Sequence, residues 1–195
     1  MADGDSTLRT FIALPLPAEW TSVLESVIGE LRGSTSGAVR WVQPSGIHLT
    51  LKFLGSTDAR LVPDILTGLD RSLQGAQVPE LSLSGLGMFP NSRNPRVLWA
   101  GVSGDLDTLE DWYERVESLM VGLGWAAERR PFRPHLTLGR VRDRASSTDR
   151  GRIATAMSQC SVPALGPWRA NAVRLYQSEL TPQGAIYSNL GEVEI

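Results

Sequence analysis

Apolar residues recur along this chain with two different periods, and the changes of period mark out the elements. Trp20, Val23, Leu24, Val27, Ile28 and Leu31 return at helical spacing, which predicts a helix over residues 18–32. Leu61, Ile65, Leu66 and Leu69 do the same within 60–73, where Pro63 suits a first turn that needs no N–H from it. A third helix is expected over 105–123, capped by Asp105 or Asp107, and a fourth over 147–160. Short apolar or alternating runs predict strands at 9–16, 39–42, 47–54, 80–86, 96–102, 132–141, 169–180 and 185–193. Their boundaries are turn chemistry: Pro15 and Pro17, the Gly/Ser/Thr stretch 33–37, the turn 43–46, Gly55, the breakers Pro163, Gly166 and Pro167, and the turn 181–184.

Both halves of that order contain a helix, a strand, a helix and further strands, a loose internal duplication. The fold expected is α+β: two pseudo-symmetric lobes, each an antiparallel sheet with helices on its outer face, and a cleft between them. No linker separates independent domains, so residues 1–195 are read as one two-lobed domain. A hydrophobic share of 42% and six tryptophans supply a core for 195 residues.

The net charge of −2 argues against a protein that coats nucleic acid through broad phosphate neutralisation, while leaving a short or terminal nucleic-acid substrate open. Positive charge is nonetheless unusual in kind. Lys52 is the only lysine, and six arginines crowd into 129–144: Arg129, Arg130, Arg133, Arg140, Arg142 and Arg144. Most suit a solvated face; one or two could meet a phosphate, which the planar guanidinium fits. Cys160, the one cysteine, cannot form an internal disulfide and reads as a core residue. The apolar run 11–14 is too short to span a bilayer or serve as a signal segment. A cytoplasmic protein, monomeric by default and without membrane association, is expected.

The strand pattern acquires chemistry at one repeat. The chain has two histidines, and each opens the tetrapeptide His-Leu-Thr-Leu: His48-Leu49-Thr50-Leu51 and His135-Leu136-Thr137-Leu138. Alternation along a strand sets His48, Thr50 and Lys52 on one face and Leu49, Leu51 and Phe53 on the other. His135 and Thr137 share a face likewise, above Leu136 and Leu138. Two such strands across a cleft offer two imidazoles, which titrate near neutrality, and two hydroxyls. In-line displacement at phosphorus uses that set: a base on the attacking oxygen, an acid on the leaving oxygen, and donors to the oxygens that gain charge. Two histidines and one cysteine, with no carboxylate at ligand spacing, are a poor metal set. No nucleophile elbow of a Ser/His/Asp hydrolase is present, and without a Walker loop or dinucleotide fingerprint an ATP-driven ligase is unsupported and no cofactor is expected.

These motifs and their flanks resemble the two-histidine (2H) phosphoesterase superfamily, with its paired His-x-Thr-x signature. More narrowly they resemble the RNA 2′,3′-cyclic phosphodiesterases, historically called 2′-5′ RNA ligases. The likeness runs from Arg9-Thr10-Phe11-Ile12-Ala13-Leu14-Pro15-Leu16-Pro17 through Arg40-Trp41-Val42 and His48 to Gly55. It continues in Arg133 to Arg140 and ends with Ser178-Glu179-Leu180-Thr181-Pro182 and Gly184-Ala185, then Tyr187. It implies hydrolysis of 2′,3′-cyclic phosphate ends of RNA to 2′-phosphates, without a metal. His135 would activate water, His48 would protonate O3′, Thr50 and Thr137 would donate to the phosphate, and Arg140 would lie near it.

Alternation places Arg140 on the face away from His135, unless the strand bulges near Gly139 or the side chain wraps round the strand end. Phe53 holds the matching place after His48; it stacks on a nucleobase or belongs to the core. Lys52, on the predicted histidine face, is a candidate substrate contact. Trp41 and Tyr187 read as core. Three other readings compete: a phosphodiesterase or reversible ligase for 2′-5′ linkages, an enzyme of small cyclic nucleotide phosphates, and a non-catalytic RNA-end-binding module.

Overall fold

The computed structural model describes residues 6–35, 37–163, 165–182 and 184–195. Ser36 of the predicted 33–37 loop and Gln183 of the predicted 181–184 turn lie outside the described residues. In chain order the first half holds β1 (Thr7–Pro15), α1 (Ala18–Ser34), β2 (Val39–Trp41), β3 (His48–Asp58), α2 (Val62–Leu73) and β4 (Glu80–Phe89). The second holds β5 (Val97–Gly104), α3 (Leu106–Gly122), β6 (His135–Val141), α4 (Ser147–Gln159), β7 (Trp168–Arg169), β8 (Ala172–Thr181) and β9 (Gly184–Glu194). The class is α+β, as the sequence pattern predicts.

Every recorded strand pair is antiparallel, in the order β7-β4-β5-β6-β3-β1-β8-β9, with β2 on the free part of β6. The β3, β1, β8 and β9 strands make one lobe; β6, β5, β4, β7 and β2 make the other. One pair of residues, Leu49 and Leu136, joins β3 to β6 and so fuses the lobes into a single sheet. The helices cross over. From the first half, α1 packs on α4 above the second lobe, where Trp20 meets Trp168 edge-on at 5.1 Å. From the second half, α3 packs on α2 and β3 over the first lobe. One helix of each half thus packs on a helix of the other half.

Several elements outrun their predicted ends. The α1 helix passes through Gly33 to Ser34, and β4 continues to Phe89. The β3 strand does not stop at Gly55. That glycine takes φ +71°, a conformation costly for other residues, and still pairs with Thr10. Beyond it the buried Thr57 hydroxyl lies 2.7 Å from that of Thr10. Asp105 rather than Asp107 caps α3, accepting from the Thr108 N–H, and Ser146 with Asp149 forms a capping box on α4. Trp20 and Trp112 are the largest of the fully buried side chains, and Cys160 is buried at the C-terminal end of α4. Among the described residues no helix is long and apolar enough to cross a membrane.

Candidate active site

Leu49 and Leu136 are fully buried, and directly opposed residues of an antiparallel pair point to the same face. Their neighbours therefore point together to the other face. His48, Thr50, His135 and Thr137 all rise from the side of the sheet away from the helices. The antiparallel sense carries His48 towards Thr137 and Thr50 towards His135. Each imidazole thus stands beside the other motif's hydroxyl, and all four groups surround the one point where the lobes are joined. Neither threonine hydroxyl has a side-chain partner among the described residues.

The two rings are held alike. Nδ1 of His48 lies 2.8 Å from the Gly46 carbonyl oxygen, and Nδ1 of His135 lies 2.7 Å from that of Arg133. A carbonyl oxygen only accepts, so Nδ1 carries the proton in both and Nε2 is left for a ligand. Their surroundings differ. Phe11 stacks on His48 at 4.5 Å between ring centres, Tyr187 meets it edge-on at 5.1 Å, and Tyr176 lies at 5.9 Å. His135 has Phe89 edge-on at 5.1 Å. Burial lowers the His48 pKa to about 4; the Gly46 carbonyl opposes this, and the charge of His135 adds to it. In these surroundings His48 is neutral at physiological pH.

Each motif runs into a β-bulge that resets the faces of the residues beyond it. On β6, Thr137 pairs with Trp99 of β5 but Gly139 pairs with Leu98, so Leu138 is the extra residue. Leu138 and Gly139 both turn inward and Arg140 returns to the face of His135, which resolves the conflict with simple alternation. On β3, Thr50 pairs with Ala13 and Lys52 with Ile12, so Leu51 is extra in the same way. Here the consequence corrects the expected shared face of His48, Thr50 and Lys52. Lys52 turns inward and is only 7% exposed, while Phe53 turns to the histidine face and is 64% exposed. Phe53 is therefore not a core residue; its ring lies 5.8 Å from that of Phe11. Phe53 and Arg140 hold matching positions, each beyond one bulge.

Lys52 has a different partner. Its Nζ donates to both carboxylate oxygens of Glu117 on α3, at 2.6 and 2.7 Å, and to the Ala126 carbonyl at 2.9 Å. Glu117 also accepts from the Glu128 N–H, and the Trp125 indole donates to the Leu54 carbonyl. Phe132 stacks on Tyr113 at 4.3 Å. These contacts pin the segment that leads into His135, so the buried ammonium positions a loop. Lys52→Ala is expected to cost about 2 kcal/mol, less than breaking a fully buried pair because Glu117 keeps some contact with water. Urea unfolding of the variant checks this; a loss below about 0.5 kcal/mol, the range of ordinary surface changes, would refute it.

Tyr187, read as core, instead faces His48, and burial raises its phenol pKa while the charges of Arg140 and Arg9 oppose the rise. Sequence reasoning also missed Phe11, Tyr176 and Phe89 as neighbours of the histidines. The alternation Tyr176/Ser178 against Tyr187 across β8 and β9 was the available signal, because Ser178 and Tyr187 are cross-strand partners. Trp41 packs against the core as expected. Among the described residues no group of three or more His, Cys, Asp or Glu could hold a metal ion. Burial raises the Cys160 thiol pKa and leaves it poorly suited to act as a nucleophile.

A duplicated α+β fold that sets two His-x-Thr pairs around one strand crossing is the architecture of a two-histidine phosphoesterase. The model of the LigT like Phosphoesterase family matches residues 14–99 and 102–187, each segment carrying one motif. The chain belongs to the LigT-like phosphoesterase family. It is 32% identical over 183 residues to an RNA 2′,3′-cyclic phosphodiesterase of Methanothermobacter thermautotrophicus, covering 94% of this chain and 96% of the relative. It is 33% identical to the protein of that name from Thermus thermophilus, covering 94% and 88%. The crystal structure of a Thermus thermophilus protein superposes with a TM-score of 0.76 at 28% identity, covering 96% and 97%. Escherichia coli LigT complexed with 3′-AMP shares the fold, with a TM-score of 0.70 at 24% identity and coverage of 97% and 99%.

Proposed function

We propose that this phosphoesterase hydrolyses 2′,3′-cyclic phosphate ends of RNA to 2′-phosphates by metal-independent acid–base catalysis, acting as a monomer in the cytoplasm. The observation that carries this reading is the Leu49–Leu136 crossing, which sets two histidines and two threonines on one face, their Nε2 atoms and hydroxyls without a hydrogen-bond partner among the described residues. The relatives named RNA 2′,3′-cyclic phosphodiesterase support the substrate class.

In this mechanism a water oxygen bonds to phosphorus while its proton passes to Nε2 of His135. The P–O3′ bond breaks, O3′ takes the proton from Nε2 of His48, and the phosphate stays on O2′. Thr50 and Thr137 donate to the non-bridging oxygens as charge gathers there, and Arg140 adds a fixed positive charge. Phe53 offers an exposed ring to the terminal base. Lys52 takes no part in contact with substrate. One observation favours the exchanged roles: neutral His48 is ready to accept a proton before substrate arrives.

The deciding experiment incubates an oligoribonucleotide ending in a 2′,3′-cyclic phosphate with the protein in EDTA and maps the phosphate formed. A 2′-phosphate product is expected. A 3′-phosphate product, or no turnover, would defeat the proposal.

A further inference from the structure

Arg40 and Arg140 are direct cross-strand partners on β2 and β6. Both are exposed, and neither has a counter-ion or hydrogen-bonded side-chain partner among the described residues. Opposed residues of an antiparallel pair share a face with Cβ atoms roughly 5 Å apart, a spacing at which like charges repel and cost stability. The face in question is that of His135 and Thr137, by the bulge at Leu138. Arg140 is close enough to Tyr187, the ring edge-on to His48, for its charge to act on the phenol. Arg40 stands one strand further out, on the short strand that occupies the edge of β6 once β3 has left it.

The packing beneath the pair is specific. Trp41 pairs with Gly139, and a Cβ on Gly139 would lie 2.7 Å from Val39 Cγ1 and 3.2 Å from the Arg40 carbonyl oxygen. The bare glycine lets β2 close onto β6 and keeps Arg40 and Arg140 in register opposite one another. An isolated cyclic phosphate carries one negative charge, which Arg140, two threonines and a protonated imidazole already answer. A second arginine fits a second anion, and an RNA end has one fixed at hand: the phosphodiester on the 5′ side of its last nucleotide.

We propose that Arg40, beside Arg140, forms a subsite for that 5′ phosphodiester, so that the enzyme prefers an RNA strand to a lone nucleoside cyclic phosphate. This rests on the function proposed above and adds to it a length and charge requirement. A chain of net charge −2 with a local arginine pair matches recognition of an end rather than a coating of duplex.

The test compares a nucleoside 2′,3′-cyclic phosphate bearing a free 5′-hydroxyl, the same compound with a 5′-phosphate, and a short oligoribonucleotide with the cyclic end. Wild type is expected to show kcat/KM higher by about tenfold for the two substrates that carry the 5′ anion, the size of one charge-assisted contact. Arg40→Gln should erase most of that preference, through KM more than kcat. Its thermal midpoint should equal or exceed that of wild type, because a like-charge contact has been removed. Equal losses on all three substrates would put Arg40 at the scissile phosphate and overturn the subsite, as would wild type with no preference. Turnover of any of them by wild type tests the hydrolase reading separately. Binding of 2′-phosphate products with and without the 5′-phosphate reads the Arg40 preference even in the absence of turnover; no difference between them in wild type would refute it.

Discussion

Replacing either His48 or His135 by alanine is expected to lower kcat on a cyclic-phosphate RNA end by a factor of about 10³, within the range for losing one proton-transfer group. Folding should survive both changes, because both rings are only half-buried while Leu49 and Leu136 make the core contact. The residual activities carry the finer information. If His48 is the acid, the His48→Ala enzyme keeps the low-pH limb of the kcat profile, set by the base, and loses the high-pH limb. The His135→Ala enzyme shows the converse. Exchanged limbs would exchange the roles, and a profile unchanged in shape in both variants would defeat a two-histidine pair altogether.

Repetition is what made this site legible in the sequence. The tetrapeptides contain both histidines, and strand alternation correctly divides His48 and Thr50 from Leu49, and His135 and Thr137 from Leu136. The helices and most strands follow from apolar period and from caps such as Asp105. The relation between the motifs was not legible. Crossing at Leu49–Leu136 is a long-range pairing, and nothing local to either strand encodes its register. The exchange of α1 and α3 between lobes is hidden for the same reason: each helix shows an apolar face without naming the sheet it covers.

The bulges explain the remaining differences. An extra residue at Leu51 or Leu138 leaves no compositional mark, because Leu-Thr-Leu reads as ordinary alternation. Yet each inverts the residues that directly follow it. Lys52 leaves the histidine face for Glu117, while Phe53 and Arg140 join that face. The pseudo-symmetry is then chemically broken, since matching bulges present an aromatic ring on one side and a guanidinium on the other. Both groups lie near neighbours of His48, Phe53 beside Phe11 and Arg140 within reach of Tyr187.

Acidification is expected to destabilise the protein through His48 in particular. Its pKa falls from 6.5 to about 4 on folding, so between these values the unfolded chain binds a proton that the native state refuses. The His48 contribution is complete above pH 6.5 and declines as pH falls towards 4, by about 3 kcal/mol in all for a shift of this size. Urea unfolding of wild type and His48→Gln across that window isolates it from the carboxylates, which both proteins share. Parallel slopes would show that His48 is not held neutral. An anion in the cleft reverses the bias, because a negative charge near Nε2 favours the imidazolium. Sulfate, which does not itself titrate near neutrality, should then bind with uptake of close to one proton by wild type and less by His48→Gln, measured by calorimetry in buffers of different ionisation heat. That uptake is what an acid role for His48 requires: the substrate's own charge loads the proton that O3′ later receives. Binding without uptake would leave His48 neutral in the complex and assign it the part of the base.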